Sequence, residues 1–207
     1  SIRFLLLCFV VGGLLLSISS LAQATDLILD KNLETAVRDV LKKTDAKKPL
    51  TVDDLKDVYI LKSRGTEITT LSGLEKCTNL ASLDLSDNAV KDLKPLANLK
   101  NLQSLDLSEN RITDVRPLGK LLKLQYLKLD GNKIEEINGL KDLKKLSALY
   151  LSKNRIKSLN PLEGMAKLSS LYLDGNRIRD IRPLVKLKWL SSLDLMDNFI
   201  TNVTPLS

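Results

Sequence analysis

The chain has 207 residues and a formal net charge of +7, and it contains no histidine. This length suits one or two domains with a continuous core, and with only 4% aromatic residues that core must be aliphatic. The lack of histidine removes the usual general base near neutral pH, the commonest metal ligand and every His-dependent catalytic triad. Carboxylate and lysine chemistry remain open.

Residues 1–24 have the features of a secretory signal peptide. Arg3 provides a short basic start, residues 4–18 are almost wholly apolar, and Ala22-Gln23-Ala24 forms a small-x-small cleavage site. The alternative is an uncleaved membrane anchor, because residues 4–22 could just cross a bilayer. We therefore expect a secreted or cell-surface protein, held at a membrane only through this segment or through a missing C-terminal anchor.

Residues 25–57 are predicted to form a helical N-terminal cap over the end of the repeats that follow. Asp30 can N-cap a first helix, and Thr51 can N-cap a second, shorter one that has acidic residues in its first turn. The apolar face predicted for the first helix consists of Leu33, Val37, Val40 and Leu41.

The segment 58–207 repeats with a period of 22 residues. With Leu80 as repeat position 0, apolar residues recur at positions 0, 3, 5, 10, 13, 16 and 19. A degenerate copy begins at Val58, with Thr66 in place of asparagine and Cys77 at an interior position. The last copy stops partway and the chain does not begin with Met, so we expect a fragment of a longer protein. Position 8 of the six regular copies is Asn88, Asn110, Asn132, Asn154, Asn176 and Asn198.

Each copy is predicted to form one turn of a right-handed coil. The Leu-x-Leu piece alternates as a short strand does, and the chain must return before the next strand begins 22 residues later. Successive strands then form a parallel sheet with a spacing of about 4.8 Å. At the end of the strand the backbone turns inward, where a buried asparagine can satisfy its polar groups. We therefore predict an asparagine ladder that ties successive coils together.

The stretch LQSLDLSENRITDVRPLGKL (102–121) fits the pattern LxxLxLxxNxIxxIxPLxxL. It resembles the 22-residue leucine-rich repeat of bacterial internalin-like surface proteins. The expected fold is thus an α/β leucine-rich-repeat solenoid, with a parallel β-sheet on its concave face, a short 3-10 or irregular convex side and a helical N-terminal cap. The resemblance implies a non-catalytic recognition module that binds a protein or glycan through the concave face.

The concave face is predicted to consist of repeat positions 2, 4, 6 and 7, which point away from the core. Tyr126, Tyr150 and Tyr172 fall there in three consecutive copies, and exposed tyrosines are typical of binding hot spots. The alternative is a tyrosine ladder that only favours strand structure. Asp84 and Asp106, both at repeat position 4, are predicted to be neighbours on adjacent strands. They could bind a basic ligand, or lysines at the same position of the flanking copies could compensate their charge. Besides tyrosines, the candidates at position 4 are Asp84, Asp106, Lys128 and Asp194.

Position 9 forms a basic column, which we call the arginine edge: Arg111, Lys133, Arg155 and Arg177. It could contact polyanions such as acidic glycans or lipid headgroups, or be a solvated edge that only favours solubility. Nucleic acid is disfavoured by the export signal and by the lack of interleaved aromatic residues.

No catalytic residue, cofactor or metal site is predicted. A calcium site at the aspartates would match no known loop spacing, and a flat surface suits no carboxylate acid–base pair. We expect a monomer. A targeting domain for a larger secreted enzyme or receptor is the remaining alternative.

Overall fold

The computed structural model describes residues 27–206. Two α-helices, α1 (Lys31–Leu41) and α2 (Val52–Lys56), precede seven short strands. The strands are β1 (Ile60–Lys62), β2 (Ser82–Asp84), β3 (Ser104–Asp106), β4 (Tyr126–Lys128), β5 (Ala148–Tyr150), β6 (Ser170–Tyr172) and β7 (Ser192–Asp194). A 3-10 helix follows each strand, at Leu74–Lys76, Lys94–Leu96, Arg116–Lys120, Asn138–Leu140, Asn160–Leu162, Arg182–Lys186 and Thr204–Leu206.

The seven strands form one parallel sheet in chain order. Each residue pairs with the one 22 positions later, as Leu105 pairs with Leu127, so repeat position and sheet register coincide. A constant repeat length forces this register, because any slip by one residue would turn the buried leucines outward. The predicted leucine-rich-repeat solenoid, with its sheet on the concave face and 3-10 turns opposite, is confirmed.

The core is a continuous aliphatic column inside the coils. In the first five regular copies all seven apolar positions are buried, for example Leu105 and Leu118, each 0% exposed. The sixth copy differs, since Leu193 is 36% and Val203 is 68% exposed. These side chains lie on the last coil that the structure describes, where no further coil packs against them. Full burial of one such side chain stabilises the fold by about 1.5–3 kcal/mol.

The asparagine ladder is present as predicted. The Asn132 Oδ1 accepts a hydrogen bond from the Ile112 N–H at 2.9 Å. Its Nδ2 donates to the carbonyl of Leu107 at 2.9 Å, one coil back, and to those of Leu129 and Asp130 on its own coil at 3.0 and 3.2 Å. Across residues 27–206, every buried side-chain nitrogen or oxygen atom has a hydrogen-bond partner.

The residue before each asparagine position adopts a left-handed backbone conformation in every copy. The φ angle at repeat position 7 lies between 51° for Glu109 and 66° for Gly175. Glycine adopts this conformation without a steric cost, whereas other L-residues are strained by about 1–2 kcal/mol. Three copies carry glycine here and four do not. The residue at position 7 is therefore constrained by the backbone, although its side chain points away from the core.

Asp30 joins α1 to the first coil. One carboxylate oxygen caps the helix by accepting from the N–H groups of Asn32 and Leu33 at 3.1 and 3.2 Å. The other accepts from the Thr69 N–H at 2.8 Å, the Thr69 hydroxyl at 3.0 Å and the Thr70 N–H at 3.3 Å. Burial opposes ionisation, but hydrogen bonds from Thr69 and Leu33 outweigh it and lower the pKa of Asp30.

The predicted apolar face of α1 is partly wrong. Leu33 and Val37 are buried, but Val40 is 42% exposed, and Leu41 is only partly covered. The buried place is taken by Arg38, whose guanidinium pairs with Glu34 at 2.8 Å and donates to the carbonyl of Lys48 at 3.0 Å. Arg38 thereby fixes the loop that follows α1. Its side chain occupies the buried side of the helix, and Val40 is left exposed. The Thr51 N-cap of α2 is present and forms a capping box with Asp54.

The predicted signal peptide, residues 1–24, lies outside the described residues. Within residues 27–206, no helix combines the length and the apolar character needed to cross a membrane.

Candidate ligand-binding surface

Tyr126, Tyr150 and Tyr172 form a continuous tyrosine cluster on the concave face. Parallel pairing places Tyr150 directly beside Tyr172, and their rings stack with centroids 4.8 Å apart and planes within 3°. Tyr126 packs against Tyr150 at 5.4 Å with a tilt of 45°. The structure thus brings these three predicted residues together. Each ring is half-buried, which combines a fixed position with an accessible surface.

The aspartate column lies next to the tyrosine cluster. Asp84 pairs with Asp106 and Asp106 with Lys128 in the sheet register, while Asp194 lies beside Tyr172 at the other end. The Lys128 ammonium is 4.0 Å from the Asp106 carboxylate, so Lys128 offsets part of the charge. This is the compensation that the sequence suggested as one alternative.

Carboxylates surround the phenol of Tyr126. Burial raises the pKa of Tyr126 to about 12, with smaller contributions from the charges of Asp106, Asp130 and Asp84. Burial also raises the pKa of Asp130. The Ser152 N–H and the charge of Lys128 oppose this effect, and the charges of Asp106 and Asp174 add to it. The charges of Asp84, Asp106 and Asp130 all act on the Tyr126 phenol in the same direction, so a cation bound beside it would be favoured.

The concave face as a whole is acidic, although the protein is basic. Repeat positions 2, 4, 6 and 7 carry eight carboxylates and four basic side chains, against a net charge of +7 for the chain. The carboxylates are Asp84, Asp87, Asp106, Glu109, Asp130, Asp174, Asp194 and Asp197, and the basic residues are Lys62, Arg64, Lys128 and Lys153. Asp130 and Asp174 were not among the predicted site residues, although their repeat position 6 was the available signal.

Position 6 is not uniformly outward, which corrects a second part of the prediction. Ser86 and Ser108 are each only 6% exposed. Their hydroxyls donate to the carboxylates of Asp84 and Asp106 at 2.8 and 2.7 Å. Asp84 and Asp106 are consequently held in fixed orientations, and the serines serve the turn rather than a ligand.

The arginine edge is exposed and regular. The backbone N–H of Arg111, Lys133, Arg155 and Arg177 each donates to a carbonyl of the preceding coil at 2.9 Å. Carboxylates lie close to this edge, since Arg155 pairs with Glu135 at 3.8 Å. Its positive charge is therefore partly neutralised, which weakens the case for a polyanion site there.

Cys77 is fully buried in the core, at 0% exposure. Burial, with a smaller contribution from Glu75, raises the pKa of its thiol to about 12. Such a thiol is protonated and inert at neutral pH. Residues 27–206 contain no cluster of three or more Cys, Asp or Glu side chains that could hold a metal ion.

Comparison with known proteins agrees with this architecture. The family described as "Leucine Rich repeats (2 copies)" matches residues 100–142 and 166–207, and the family "Leucine rich repeat" matches residues 123–178. The crystal structure of internalin C2 from Listeria monocytogenes is 35% identical, with a TM-score of 0.70, over 91% of this chain and 94% of that one. The chain belongs to the internalin family.

A second Listeria monocytogenes internalin, inlF, matches this internalin-family chain with 29% identity and a TM-score of 0.73, over 87% of the chain. This internalin-family chain spans 60% of the inlF structure. No significant match is found among curated protein sequences.

A more distant likeness is the ectodomain of the plant receptor kinase GASSHO1/SCHENGEN3 from Arabidopsis thaliana, solved in complex with CASPARIAN STRIP INTEGRITY FACTOR 2. It is 27% identical with a TM-score of 0.60, over 66% of this internalin-family chain and 18% of the receptor chain. The leucine-rich-repeat fold is thus that of a protein-binding recognition module.

Proposed function

We propose that this protein is an exported, non-catalytic recognition module whose concave face binds a basic segment of a protein ligand. The single observation that carries the proposal is the tyrosine cluster set within an acidic surface. Three rings in mutual contact provide rigid, amphipathic area. Asp194 lies beside Tyr172 in the sheet register, and on the other side Lys128 lies beside Tyr150 and is followed by Asp106. Tyrosine and arginine are enriched among residues that dominate binding energy.

The chemistry of the site favours a cationic side chain. A guanidinium or ammonium group gains from the face of an aromatic ring and from a nearby carboxylate, by about 0.5–2 kcal/mol for the ring contact. The net negative charge of the concave face, with eight carboxylates against four basic side chains, acts in the same direction.

Export is supported by the signal-peptide features of residues 1–24. If the segment is cleaved as proposed, N-terminal sequencing of protein recovered from the culture medium will begin at Thr25.

Random-peptide display tests the binding site even though the natural ligand is unidentified. Peptides selected on the wild-type protein should be rich in Arg and Lys. Their affinity should fall about 30-fold or more for the triple variant Tyr126→Ala, Tyr150→Ala, Tyr172→Ala, since hot-spot losses reach about 2 kcal/mol. Tyr59→Ala is the matched control, because Tyr59 is 55% exposed and does not belong to the tyrosine cluster. Unchanged affinity in the triple variant, or equal loss in the control, would remove this site.

A further inference from the structure

A second basic surface lies on the rim opposite the arginine edge, where the chain rises from each 3-10 helix into the next strand. We call it the lysine rim. Its members occupy repeat positions 20 and 21, and all of them are exposed. They are Lys100, Lys123, Lys144, Lys145, Lys167 and Lys188.

The lysine rim contains no acidic residue. Positions 20, 21, 1 and 2 have neither Asp nor Glu in any copy, so an acid-free strip extends from the rim onto the sheet. Among the residues that the structure describes, none of the six lysines forms an ion pair. The carboxylates that precede the rim in the chain are Asp142 and Glu163, and Glu163 is held by Lys186. The arginine edge, by contrast, has Glu135 within 3.8 Å of Arg155.

The fold does not require lysine at position 21. Asn79 and Asn101 occupy it in two copies. The Asn79 amide donates to the carbonyl of Lys56 at the end of α2 at 2.9 Å, and the Asn101 amide donates to that of Thr78, one coil back, at 3.0 Å. In the next three copies lysine replaces this asparagine. The replacement gives up the contact to the preceding coil, except that Lys123 donates to the Asn101 Oδ1 at 2.7 Å.

The replacement also aligns like charges on adjacent coils. Lys123, Lys145 and Lys167 share one repeat position, so their backbones are about 4.8 Å apart from coil to coil. Like charges in this arrangement are mutually destabilising. A column that loses inter-coil hydrogen bonds and adds repulsion does not stabilise the fold, and binding of an anion would account for it.

We propose that the lysine rim binds a linear anionic polymer with sulfate or phosphate groups, such as an acidic polysaccharide. From Lys100 to Lys188 the rim rises through four coil steps, which is about 19 Å of regularly spaced positive charge. A linear polymer can follow such a row and release its counterions along the way. A membrane surface fits less well, because the two exposed apolar residues at these positions, Leu122 and Trp189, are separated by three coils.

The lysine rim itself, at repeat positions 20 and 21, lies outside the concave-face positions 2, 4, 6 and 7, so the two ligands could be bound together. The basic strip would attach the module to an anionic matrix while the acidic tyrosine surface remains open to its protein ligand. The opposite signs of the two surfaces also prevent the polymer from competing for the concave face, since like charges repel.

Heparin is a suitable probe, with affinity measured by calorimetry at several salt concentrations. The variant Lys123→Ala, Lys145→Ala, Lys167→Ala should bind heparin at least tenfold more weakly at about 0.15 M salt. The slope of log K against log salt should flatten by about 2–3, as expected for three lost phosphate-like contacts. The matched control is Arg111→Ala, Lys133→Ala, Arg155→Ala, which removes the same number of positive charges from the arginine edge. It should change the affinity by less than threefold.

Equal losses in the two variants would overturn the proposal, because net charge and not the rim would then explain binding. An unchanged affinity in the lysine variant would overturn it as well. Vesicles containing phosphatidylserine provide the remaining arm. If the lysine variant loses binding to these vesicles but keeps its affinity for heparin, the partner is a membrane surface and the polymer proposal is wrong.

Discussion

Replacing Asn132 by leucine tests whether the asparagine ladder holds the coils together. Leucine has the same number of side-chain heavy atoms and is the residue of the surrounding core, but it cannot form these hydrogen bonds. The side chain of Asn132 is 6% exposed and makes four hydrogen bonds. Removing them should destabilise the protein although the core becomes more apolar.

The loss of stability depends on which backbone partners of Asn132 keep another hydrogen bond in the variant. The carbonyls of Leu107 and Leu129 retain the side-chain amides of Asn110 and Asn154 at 3.1 and 2.9 Å, and the Asp130 carbonyl retains the Glu109 N–H. The buried Ile112 N–H has no such substitute. One orphaned donor costs about 1–3 kcal/mol, and each weakened carbonyl adds up to about 0.5 kcal/mol. We expect a total of about 2–4 kcal/mol.

Urea unfolding followed by circular dichroism measures this loss, and Asn198→Leu is the matched control. Asn198 makes the same contact, with its Oδ1 accepting from the Ile178 N–H at 3.0 Å, but it lies on the last described coil and is only partly buried. Water can replace the lost acceptor there, so the control should cost about 1 kcal/mol or less. Equal costs in the two variants, or a loss below about 1 kcal/mol for Asn132→Leu, would refute the role given to the buried amide.

Two further substitutions test the cap and the turn. Asp30→Ala should cost about 2–4 kcal/mol by urea unfolding, since it removes an N-cap and leaves the Thr69 N–H unpaired. Because the folded pKa of Asp30 is lowered below 3.8, its charge stabilises the fold above about pH 4, and the advantage of wild type over Asp30→Asn should shrink below that pH. Lys153→Gly should raise stability by about 0.5–1 kcal/mol, because φ is 54° there. Arg155→Gly is its control and should lower stability; gains in both would contradict the reasoning.

The charge distribution of the two surfaces has a consequence for association with partners. An acidic concave face and a basic rim on one solenoid attract ligands of opposite sign, and both attractions weaken as salt screens them beyond about 8–10 Å. The packing contacts of the tyrosine cluster are less sensitive to salt, because ring packing does not depend on net charge. Binding that persists at high salt is therefore expected for the concave face and not for the lysine rim.

The repeat length and the apolar positions were sufficient to predict the fold from the sequence. Six regular copies without a change in period leave only one register for the strands, because each leucine must return to the same interior column. The same regularity alone predicts that Tyr150 lies beside Tyr172 and Asp84 beside Asp106. Because each coil stacks on the previous one in the same register, residues at the same repeat position of consecutive copies are neighbours in space.

Only the tertiary structure decided what departs from the repeat. The burial of Arg38 in place of Val40 depends on how α1 lies against the first coil and on the carbonyls of the loop that follows, neither of which has a periodic signal. The left-handed backbone at position 7 arises from the inward turn of the chain, and non-glycine residues in four copies conceal it. Side-chain periodicity reports which residues face the core, but backbone strain and the docking of a cap are set by contacts that the period does not encode.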